Sequence, residues 1–489
     1  MNWRFAARFL RPATVLAFVT FVLIVVRAVR TVDPYWDTLA YHWPYAARIA
    51  GLCDKDCFLL SFGTESRYDG FPLLLTALQG WLWRLTGTPA MSDLINIAMV
   101  VALSAYLRYR FAVPLAWSWL AVLAIPQAQI QLTATYIDLA VNAAVTLGLM
   151  VLLRILTEPD ADHRIDVAIA LAALGIAAGS KYQMVPIALI TWCAIIVLVT
   201  RKPSIVGFKR RSTAFLVLSA AGALILLPKL AFNAWAFANP FYPVDVRIGP
   251  IHLAGLESTR PSNSISDRWA DSPSALRWLA SVFEYDAFRG RILPWTLGQG
   301  DIPQSSPSFR MGGYFIPYVL GAIAVLWWSA RSSAAARRAG VLVIVLSILC
   351  AVLPLSHELR YYMFWMLTLV SCVLVAAHSP AFASPEQRIQ RAVAHGLVAI
   401  AAISVIAMTG GAYLKTRGQT LQDIVRETDS VVAKIPEGGT LCVLNQHPRA
   451  FLYASLFHPS RHYHTRSLFA GEQADCSLRL DLDRQTATN

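Results

Sequence analysis

The hydrophobic positions of this chain fall in long blocks that are separated by short polar connections. A helix needs about 20 mostly apolar residues to cross the hydrocarbon core of a bilayer, although about 17 can suffice. Eleven blocks approach this length, so the pattern predicts an all-α polytopic membrane protein with about eleven transmembrane helices. The predicted spans are 13–30, 92–107, 112–126, 137–156, 166–179, 184–199, 213–236, 313–330, 339–355, 361–378 and 392–414.

Three longer segments interrupt the blocks, namely residues 31–91, 237–312 and 415–489, each with approximate limits. The first contains two helix-like stretches, Thr38–Ile49 and Phe71–Leu85. The second stretch is apolar but short for a span, and we expect it to lie in or re-enter the membrane interface.

The C-terminal segment differs from the rest of the chain because its apolar runs are short. Its pattern predicts a helix at Thr420–Ala433, a strand at Thr440–Leu444 and a helix near Arg449–Leu456. We therefore divide the chain into a transmembrane module, residues 1–414, and a small extracytoplasmic α/β domain, residues 415–489.

Composition supports the membrane assignment. Hydrophobic residues make up 56% of the chain and charged residues 15%, and the mean hydropathy is +0.50. Soluble domains are nearer to one-quarter charged, so an ordinary soluble enzyme and a disordered chain are both excluded. The net charge of +13 indicates cytoplasmic anchoring loops and contact with membrane lipids rather than with nucleic acid.

The distribution of basic residues predicts the orientation. With the N-terminus inside, the N-terminal segment and the short cytoplasmic loops together carry 17 Lys and Arg residues. The short turns on the opposite side, around 127–136, 180–183 and 356–360, contain only Lys181 and Arg360. Short cytoplasmic loops carry an excess of Lys and Arg. We therefore expect a multi-pass inner-membrane protein with a cytoplasmic N-terminus and an extracytoplasmic C-terminus.

Chemically capable side chains collect at the predicted outer ends of the spans. Charged residues at membrane depth are costly and are functional candidates by default. The candidates are Asp37, Tyr41, His42, Asp138, Lys181, His357, Glu358, Arg360 and Tyr361. Because all of them fall on one predicted face, they are expected to form one site.

Structural explanations exist for each candidate. Asp37 and Asp138 stand where helices could begin and could serve as N-caps. Lys181 could extend towards the lipid headgroups, and Arg360 could pair with Glu358 on the surface. The aromatic residues near Asp37, with His42, could form an ordinary interfacial belt.

Other motifs carry less information. The chain has no Walker sequence and no GxGxxG before a helix, which argues against a nucleotide-fuelled pump or a nucleotide-sugar enzyme. Two cysteine pairs, Cys53 with Cys57 and Cys442 with Cys476, could form disulfides outside the cell, or their spacing could be coincidental. The tail histidines have no clear metal-ligand spacing.

Several short segments together resemble the polyprenyl-phosphate-sugar-dependent GT-C glycosyltransferases. The similarity covers roughly residues 1–380 and is strongest to the bacterial branch near the protein O-mannosyltransferases and the lipid A aminoarabinose transferase. The segments are Trp36-Asp37-Thr38-Leu39-Ala40-Tyr41-His42-Trp43-Pro44, Tyr136-Ile137-Asp138-Leu139, Lys181-Tyr182, Asn239-Pro240-Phe241-Tyr242-Pro243 and Arg360-Tyr361.

The resemblance implies an enzyme that transfers a sugar, with inversion, from a polyprenyl-phosphate donor to an acceptor hydroxyl on the extracytoplasmic face. The acceptor would be a glycan, a lipid or a protein. Asp37 would be the general base, and Arg360, Lys181 and Tyr361 would bind the donor phosphate. Asp138 would orient the acceptor, hold a divalent ion or position Lys181. The remaining candidates would contact donor or acceptor.

One departure from the family concerns metal binding. The first loop of the family often has two neighbouring acids, whereas Trp36 and Thr38 flank Asp37 here. A divalent cation therefore stays an open question, and no other cofactor is expected.

Two other functions remain open from the sequence. A transporter or flippase of lipid-linked sugar would have inverted repeats and charges near the bilayer midplane. A polymerase or ligase of surface polysaccharide would also have large basic outer loops.

Overall fold

A computed structural model describes residues 12–34, 36–53, 62–258, 271–283, 285–286, 291–292, 314–444, 448–468, 474–482 and 486–488. The N-terminal arginines Arg4, Arg8 and Arg11, as well as Cys57, lie outside the described residues.

The described chain is mainly helical. In chain order the helices are α1 Pro12–Arg30, α2 Trp43–Ile49, α3 Phe62–Gly70, α4 Leu74–Thr86, α5 Leu94–Phe111, α6 Leu115–Leu123, α7 Pro126–Gln131, α8 Asp138–Thr157, α9 Arg164–Ala178, α10 Val185–Arg201, α11 Arg211–Leu226, α12 Pro228–Phe237, α13 Ser274–Val282, α14 Ile316–Ser332, α15 Ala334–Val352, α16 Phe364–His378, α17 Gln387–Met408, α18 Leu421–Arg426 and α19 Asp429–Val432.

Helix α8 forms the centre of the helical module. Its side chains from Asp138 to Ile155 are all buried, and α5, α9, α10, α15 and α16 pack against it. A helix that is apolar on most sides is typical of a buried position inside a large protein or of a membrane span. Helices such as α1, α11 and α17 instead expose apolar side chains on their outer faces, as expected for contact with lipid.

Six helical segments among the described residues are long and apolar enough to cross a membrane. Helices α11 and α12 form a seventh span if they are counted as one, and they bend by 60° where Pro228 begins the second helix. The chain is therefore a multi-pass membrane protein. The number eleven stays a prediction, because several predicted spans correspond to shorter helices, such as α6 within 112–126.

Helix α4 corresponds to the short apolar stretch predicted at Phe71–Leu85. It spans 13 residues, with Leu74, Leu78, Trp81 and Leu85 exposed along one face. Its opposite face packs against α2. Its length is too short for a span, which agrees with a position in the membrane interface.

The middle loop contributes strands β1 Val244–Ile248, β2 Ile251–Leu253, β3 Glu257–Ser258, β4 Tyr285–Asp286 and β5 Arg291–Ile292. Strand β1 pairs antiparallel with β2 and parallel with β3, while β4 and β5 form a short hairpin-like pair.

Residues 415–489 contain a sheet with the order β7-β6-β8-β9. The strand expected at Thr440–Leu444 is β6, and it pairs parallel with β7 His464–Leu468 and β8 Leu478–Asp481. Strand β9, Thr486–Thr488, pairs antiparallel with β8. The predicted first tail helix is broken into α18 and α19, and the predicted second helix is a pair of 3-10 turns.

A disulfide joins Cys442 on β6 to Cys476, just before β8. This confirms the second of the two cysteine pairs considered from the sequence. The bond restrains the chain between two neighbouring strands of the sheet.

A second charged cluster lies at the other end of α8 from Asp138. Arg154 follows Asp138 by sixteen positions, which corresponds to about 24 Å along a helix. The Asp166 carboxylate on α9 is fully buried, with Arg110 Nε at 3.0 Å, His163 Nδ1 at 3.1 Å and Arg154 also bonded to it. This carboxylate ties α5, α8 and α9 together.

We expect Asp166→Asn to lower the apparent melting temperature of the purified protein by several degrees or more. Removing one partner of a buried ion pair costs about 3–5 kcal/mol, because the remaining charges stay buried without compensation. Asp162→Asn is the matched control, since this carboxylate is 70% exposed and pairs loosely with Arg164. Thermal unfolding in detergent measures both, and equal melting temperatures for the two variants would contradict this role of Asp166.

The predicted orientation can be tested by cysteine labelling of intact cells. Ser204 and Ser430 are both exposed, and they lie in the predicted cytoplasmic loop and in the tail. We expect a membrane-impermeant thiol reagent to label Ser430→Cys but not Ser204→Cys, relative to the unmodified chain. Labelling of Ser204→Cys in intact cells would show that the predicted orientation is wrong.

Candidate functional site

The first candidate, Asp37, stands at the start of a π-helical turn, Thr38–His42, which continues into α2. A π-helical turn is rare and is often found at functional sites. Asp37 itself has helical backbone angles, and its side chain makes no capping hydrogen bond. The capping explanation therefore does not account for this carboxylate.

Asp37 is paired with Arg360, although 323 positions separate them in sequence. Arg360 Nη1 donates a hydrogen bond of 3.1 Å to Asp37 Oδ2. Glu358 Oε2 lies 3.5 Å from Arg360 Nε, so the guanidinium lies between two carboxylates. The side chains of Asp37 and Arg360 are only 19% and 13% exposed, and this is not a freely solvated surface pair.

A second ion pair joins Lys181 to Asp138. Asp138 is the first residue of α8, where a carboxylate is favoured by the helix dipole. Its side chain is 3% exposed, and the Lys181 side chain is 17% exposed. Lys181 is therefore engaged with Asp138 rather than extended towards the headgroups.

Tyr361 joins the two pairs. Arg360 Nη2 donates a hydrogen bond of 3.0 Å to the Tyr361 hydroxyl, and the guanidinium lies 4.8 Å from the centre of the ring. The Lys181 ammonium lies 4.3 Å from the centre of the same ring. Because both cations contact this one ring, they lie close to each other at the candidate site.

Aromatic residues complete the surroundings of Asp37. The Tyr41 hydroxyl lies close to the Asp37 carboxylate and stabilises its ionised form, and the Tyr136 hydroxyl lies close to the Asp37 backbone. The Tyr41 and His42 ring centres are 4.5 Å apart, and His42 lies 5.7 Å from Tyr136. His42 is 5% exposed, and within the described part of the chain its Nδ1 atom has no hydrogen-bond partner.

Burial and the neighbouring charges set the protonation of these groups. Burial raises the pKa of the Asp37 carboxyl, but Arg360, His42 and the Tyr41 hydroxyl together outweigh it, so the pKa lies below its ordinary value. Burial lowers the pKa of His42 to about 4, which keeps this imidazole neutral at pH 7. Burial also lowers the pKa of Lys181, against the opposing effect of Asp138.

Asn142, which the sequence reasoning did not select, holds the Arg360 turn in place. Its Nδ2 atom donates to the Arg360 carbonyl at 2.9 Å, and its Oδ1 atom accepts from the Phe364 N–H at 2.8 Å. Asn142 lies one turn after Asp138 on α8, so it fixes the turn that carries Arg360 relative to the carboxylate. An amide within an apolar run is the signal that could have identified it.

Asn96 similarly stabilises the turn before α8. Its Nδ2 atom donates to the carbonyls of Gln131, Ala134 and Tyr136 at 2.7–3.0 Å, and its Oδ1 atom accepts from the Ala140 N–H at 3.0 Å. This one side chain satisfies an irregular turn that would otherwise bury unpaired carbonyls.

The motif around Asn239–Pro243 lies beside Tyr182, the neighbour of Lys181. The Tyr182 hydroxyl contacts the carbonyls of Gly70 and Tyr242 at 2.5 and 3.0 Å and is bonded to Asn233. Asn239 Nδ2 donates to the Val244 carbonyl at 2.9 Å, which closes the loop that follows α12. These bonds attach the middle loop to the Lys181 turn.

His357 belongs to the same turn as Arg360 but has different surroundings. Its side chain is 2% exposed. Burial and the charge of Arg277, on α13, lower its pKa to about 4. The structure thus groups Asp37, Tyr41, His42, Asp138, Lys181, Glu358, Arg360 and Tyr361, while His357 faces the α13 side.

The arrangement also bears on metal binding. Among the described residues, no group of three or more His, Cys, Asp or Glu side chains is placed to hold a metal ion. The carboxylates of Asp37 and Asp138 at the candidate site are instead paired with cationic side chains.

No protein-family model matches this chain, and no curated protein matches it. The chain is similar to solved crystal structures of ArnT from Cupriavidus metallidurans. The apo structure has a TM-score of 0.50 at 15% sequence identity, over 94% of this chain and 89% of ArnT. The structure of ArnT bound to undecaprenyl phosphate has the same score and identity, over 93% and 88% of the two chains.

The similarity therefore extends over the helical module and most of the tail. The resemblance that the short motifs indicated is confirmed at the level of the fold: this chain has the fold of ArnT.

Proposed function

We propose that this protein transfers a sugar from a polyprenyl-phosphate donor to a hydroxyl of an acceptor. The observation that carries the proposal is the Asp37–Arg360 pair beside Lys181 and Tyr361, in a chain with the ArnT fold. A carboxylate next to two cations matches the two needs of this reaction, namely a base for the acceptor and positive charge for the leaving phosphate.

The bond changes are those of an inverting transfer. The acceptor oxygen bonds to the anomeric carbon while the bond from that carbon to the phosphate oxygen breaks. The electron pair of that bond leaves with the polyprenyl phosphate, and the hydroxyl proton passes to Asp37.

Arg360 and Lys181 would receive the phosphate. A guanidinium can bind phosphate with two parallel hydrogen bonds, whereas an ammonium acts as a point charge. Both cations are shielded from bulk water, and charge interactions are stronger in such surroundings than in water. Tyr361 would keep the two cations side by side.

The pairing of Asp37 with Arg360 suggests how donor binding prepares the base. Arg360 holds the pKa of Asp37 low, so the carboxylate is ionised but weakly basic. A phosphate that draws Arg360 away would raise this pKa because burial would then dominate. The acid would thus become a stronger base only when the donor is present.

The remaining groups suit contacts with the substrates. Neutral His42, whose Nδ1 atom is buried, can form a hydrogen bond with an acceptor hydroxyl. Tyr41 orients the Asp37 carboxylate. The sequence left three roles open for Asp138. Positioning Lys181 is the best supported of them, because the two side chains form an ion pair. Glu358 likewise restrains Arg360.

The transporter alternative finds less support. Its charges would be expected near the bilayer midplane, whereas the outer charges here lie at the start of α8 and in turns between helices. Purified protein incubated with a panel of undecaprenyl-phosphate-linked monosaccharides and hydroxylated acceptors separates the two. Release of undecaprenyl phosphate with a glycosylated product supports an enzyme, and movement of intact donor between leaflets without product would favour a transporter.

We expect Asp37→Asn to lower single-turnover transfer by roughly 10²–10⁴-fold, because an amide cannot accept the proton of the acceptor hydroxyl. Asn has nearly the same size as Asp and caps helices about as well. Donor binding, measured separately on monodisperse protein, should persist. Transfer at the wild-type rate would remove Asp37 from the mechanism.

Asp138→Asn provides the comparison within the site. If Asp138 positions Lys181, this variant should transfer more slowly than wild type but faster than Asp37→Asn. The opposite order would exchange the roles of the two acids.

We expect Arg360→Ala to weaken use of the donor by roughly tenfold to a hundredfold, since a hydrogen bond to a charged group contributes about 1.5–3 kcal/mol. It should also move the acid limb of the pH–rate profile to higher pH, because the Asp37 carboxyl loses the cation that lowers its pKa. Steady-state kinetics across pH measure both effects.

Arg461→Ala, in the tail, is the control for the loss of an arginine, since this side chain is exposed. It should leave donor use and the pH profile unchanged. An Arg360→Ala protein that is folded and turns over donor normally would refute the phosphate assignment.

A further inference from the structure

The tail lies directly against the segment that carries Asp37. The π-helical turn Thr38–His42 packs on the 3-10 turn Pro448–Tyr453. Leu39 and Trp43, which are 1% and 0% exposed, belong to one buried hydrophobic cluster with Phe451 and Leu452. The side of this segment that faces away from Arg360 is therefore covered by the tail.

Phe457 is the main aromatic contact from the tail. Its ring stacks on Trp83 of α4 at 6.0 Å and lies 6.4 Å from Trp43 of α2, and the two tryptophans are themselves 6.0 Å apart. Phe451 packs edge-on against Phe457 at 5.2 Å. These rings connect the tail, the first loop and the interfacial helix in one packed group.

The first residues of the tail, with Ala412 just before them, bind the segment that precedes Asp37. The Val32 N–H donates to the Gln419 carbonyl at 2.9 Å. Arg27 Nη1 donates to the carbonyls of Ala412 and Lys415 at 2.8 and 2.9 Å. Asp37 thus stands between two attachments, one five residues before it and one at the turn that follows it.

These attachments matter because of the backbone they hold. A π-helical turn is rare, and isolated short helices are marginal in water, so tertiary packing must stabilise this one. Asp37 begins that turn, and its carboxylate must keep its place beside Arg360.

We propose that residues 415–489 position Asp37 for catalysis, with Phe457 as the positioning residue. The tail would maintain the π-helical turn so that the carboxylate faces Arg360 and the acceptor. This role rests on the proposed function for its effect on rate, but the effect on the first loop is independent of that function.

The test compares two variants of the full-length protein. Phe457→Ala removes the ring that contacts Trp43 and Trp83. Leu478→Ala removes a more deeply buried side chain, 1% exposed, from β8 in the sheet of the same domain, so it controls for a general loss of stability in the tail. Phe457→Tyr keeps the ring and should restore the wild-type behaviour.

We expect Phe457→Ala to lower kcat about 10- to 100-fold with donor KM within twofold, because a displacement of about 1 Å can cost 10²-fold in rate. Leu478→Ala and Phe457→Tyr should retain kcat. Normal kcat in Phe457→Ala, or equal losses in Phe457→Ala and Leu478→Ala, would overturn the positioning role.

Hydrogen exchange followed by mass spectrometry provides the readout that needs no sugar transfer. Amides of residues 36–46 should exchange faster in Phe457→Ala than in wild type, and at the wild-type rate in Leu478→Ala. If the wild-type protein has no transferase activity and Phe457→Ala still exchanges faster than wild type at these amides, the proposed function is refuted and the positioning role is supported. Unchanged exchange in Phe457→Ala would refute the positioning role, whatever the activity.

Discussion

The ion pair between Asp37 and Arg360 imposes the main constraint on the end of the molecule that carries the candidate site. Two charges that are largely withdrawn from water must each be compensated, since an unpaired buried charge is strongly destabilising. Glu358, Tyr361 and the Tyr41 hydroxyl provide this compensation. The first loop and the turn before α16 must therefore stay together, although they are remote in sequence.

Helix α8 connects this constraint to the rest of the fold. Its first residue, Asp138, holds Lys181, and Asn142, one turn later, holds the backbone of the Arg360 turn. Near its other end, Arg154 bonds to Asp166 on α9. The polar contacts thus lie at both ends of a buried helix. They fix the rotation of the neighbouring elements and their position along the axis of α8, whereas apolar packing alone would permit sliding.

The same principle links the membrane module to the tail. In the segment from Asp37 to Trp43, the Asp37 carboxylate is paired with Arg360, while Leu39 and Trp43 pack in a hydrophobic cluster with residues of the tail. A loop with one face in a polar site and the other in a hydrophobic cluster has little freedom to move. Under the proposed function, the position of the base would depend on contacts with residues 415–489.

Local features of the sequence determined what depends on hydrophobicity and on short motifs. The membrane class, the short apolar helix α4 and strand Thr440–Leu444 follow from patterns a few residues to twenty residues long, and such patterns act wherever the chain folds. The outer motifs also indicated the GT-C fold. The gathering of acids and bases into one place could be expected because they terminate helices on the same predicted face.

Only the tertiary structure decided which groups meet. The sequence could not assign Arg360 to Asp37 and Lys181 to Asp138, direct His357 towards Arg277, or select Asn142. It also could not place Phe457 on Trp83, or show that the predicted span 213–236 bends at Pro228. These contacts join positions up to several hundred residues apart, and they depend on the rotation and depth of each packed helix, which no local pattern encodes.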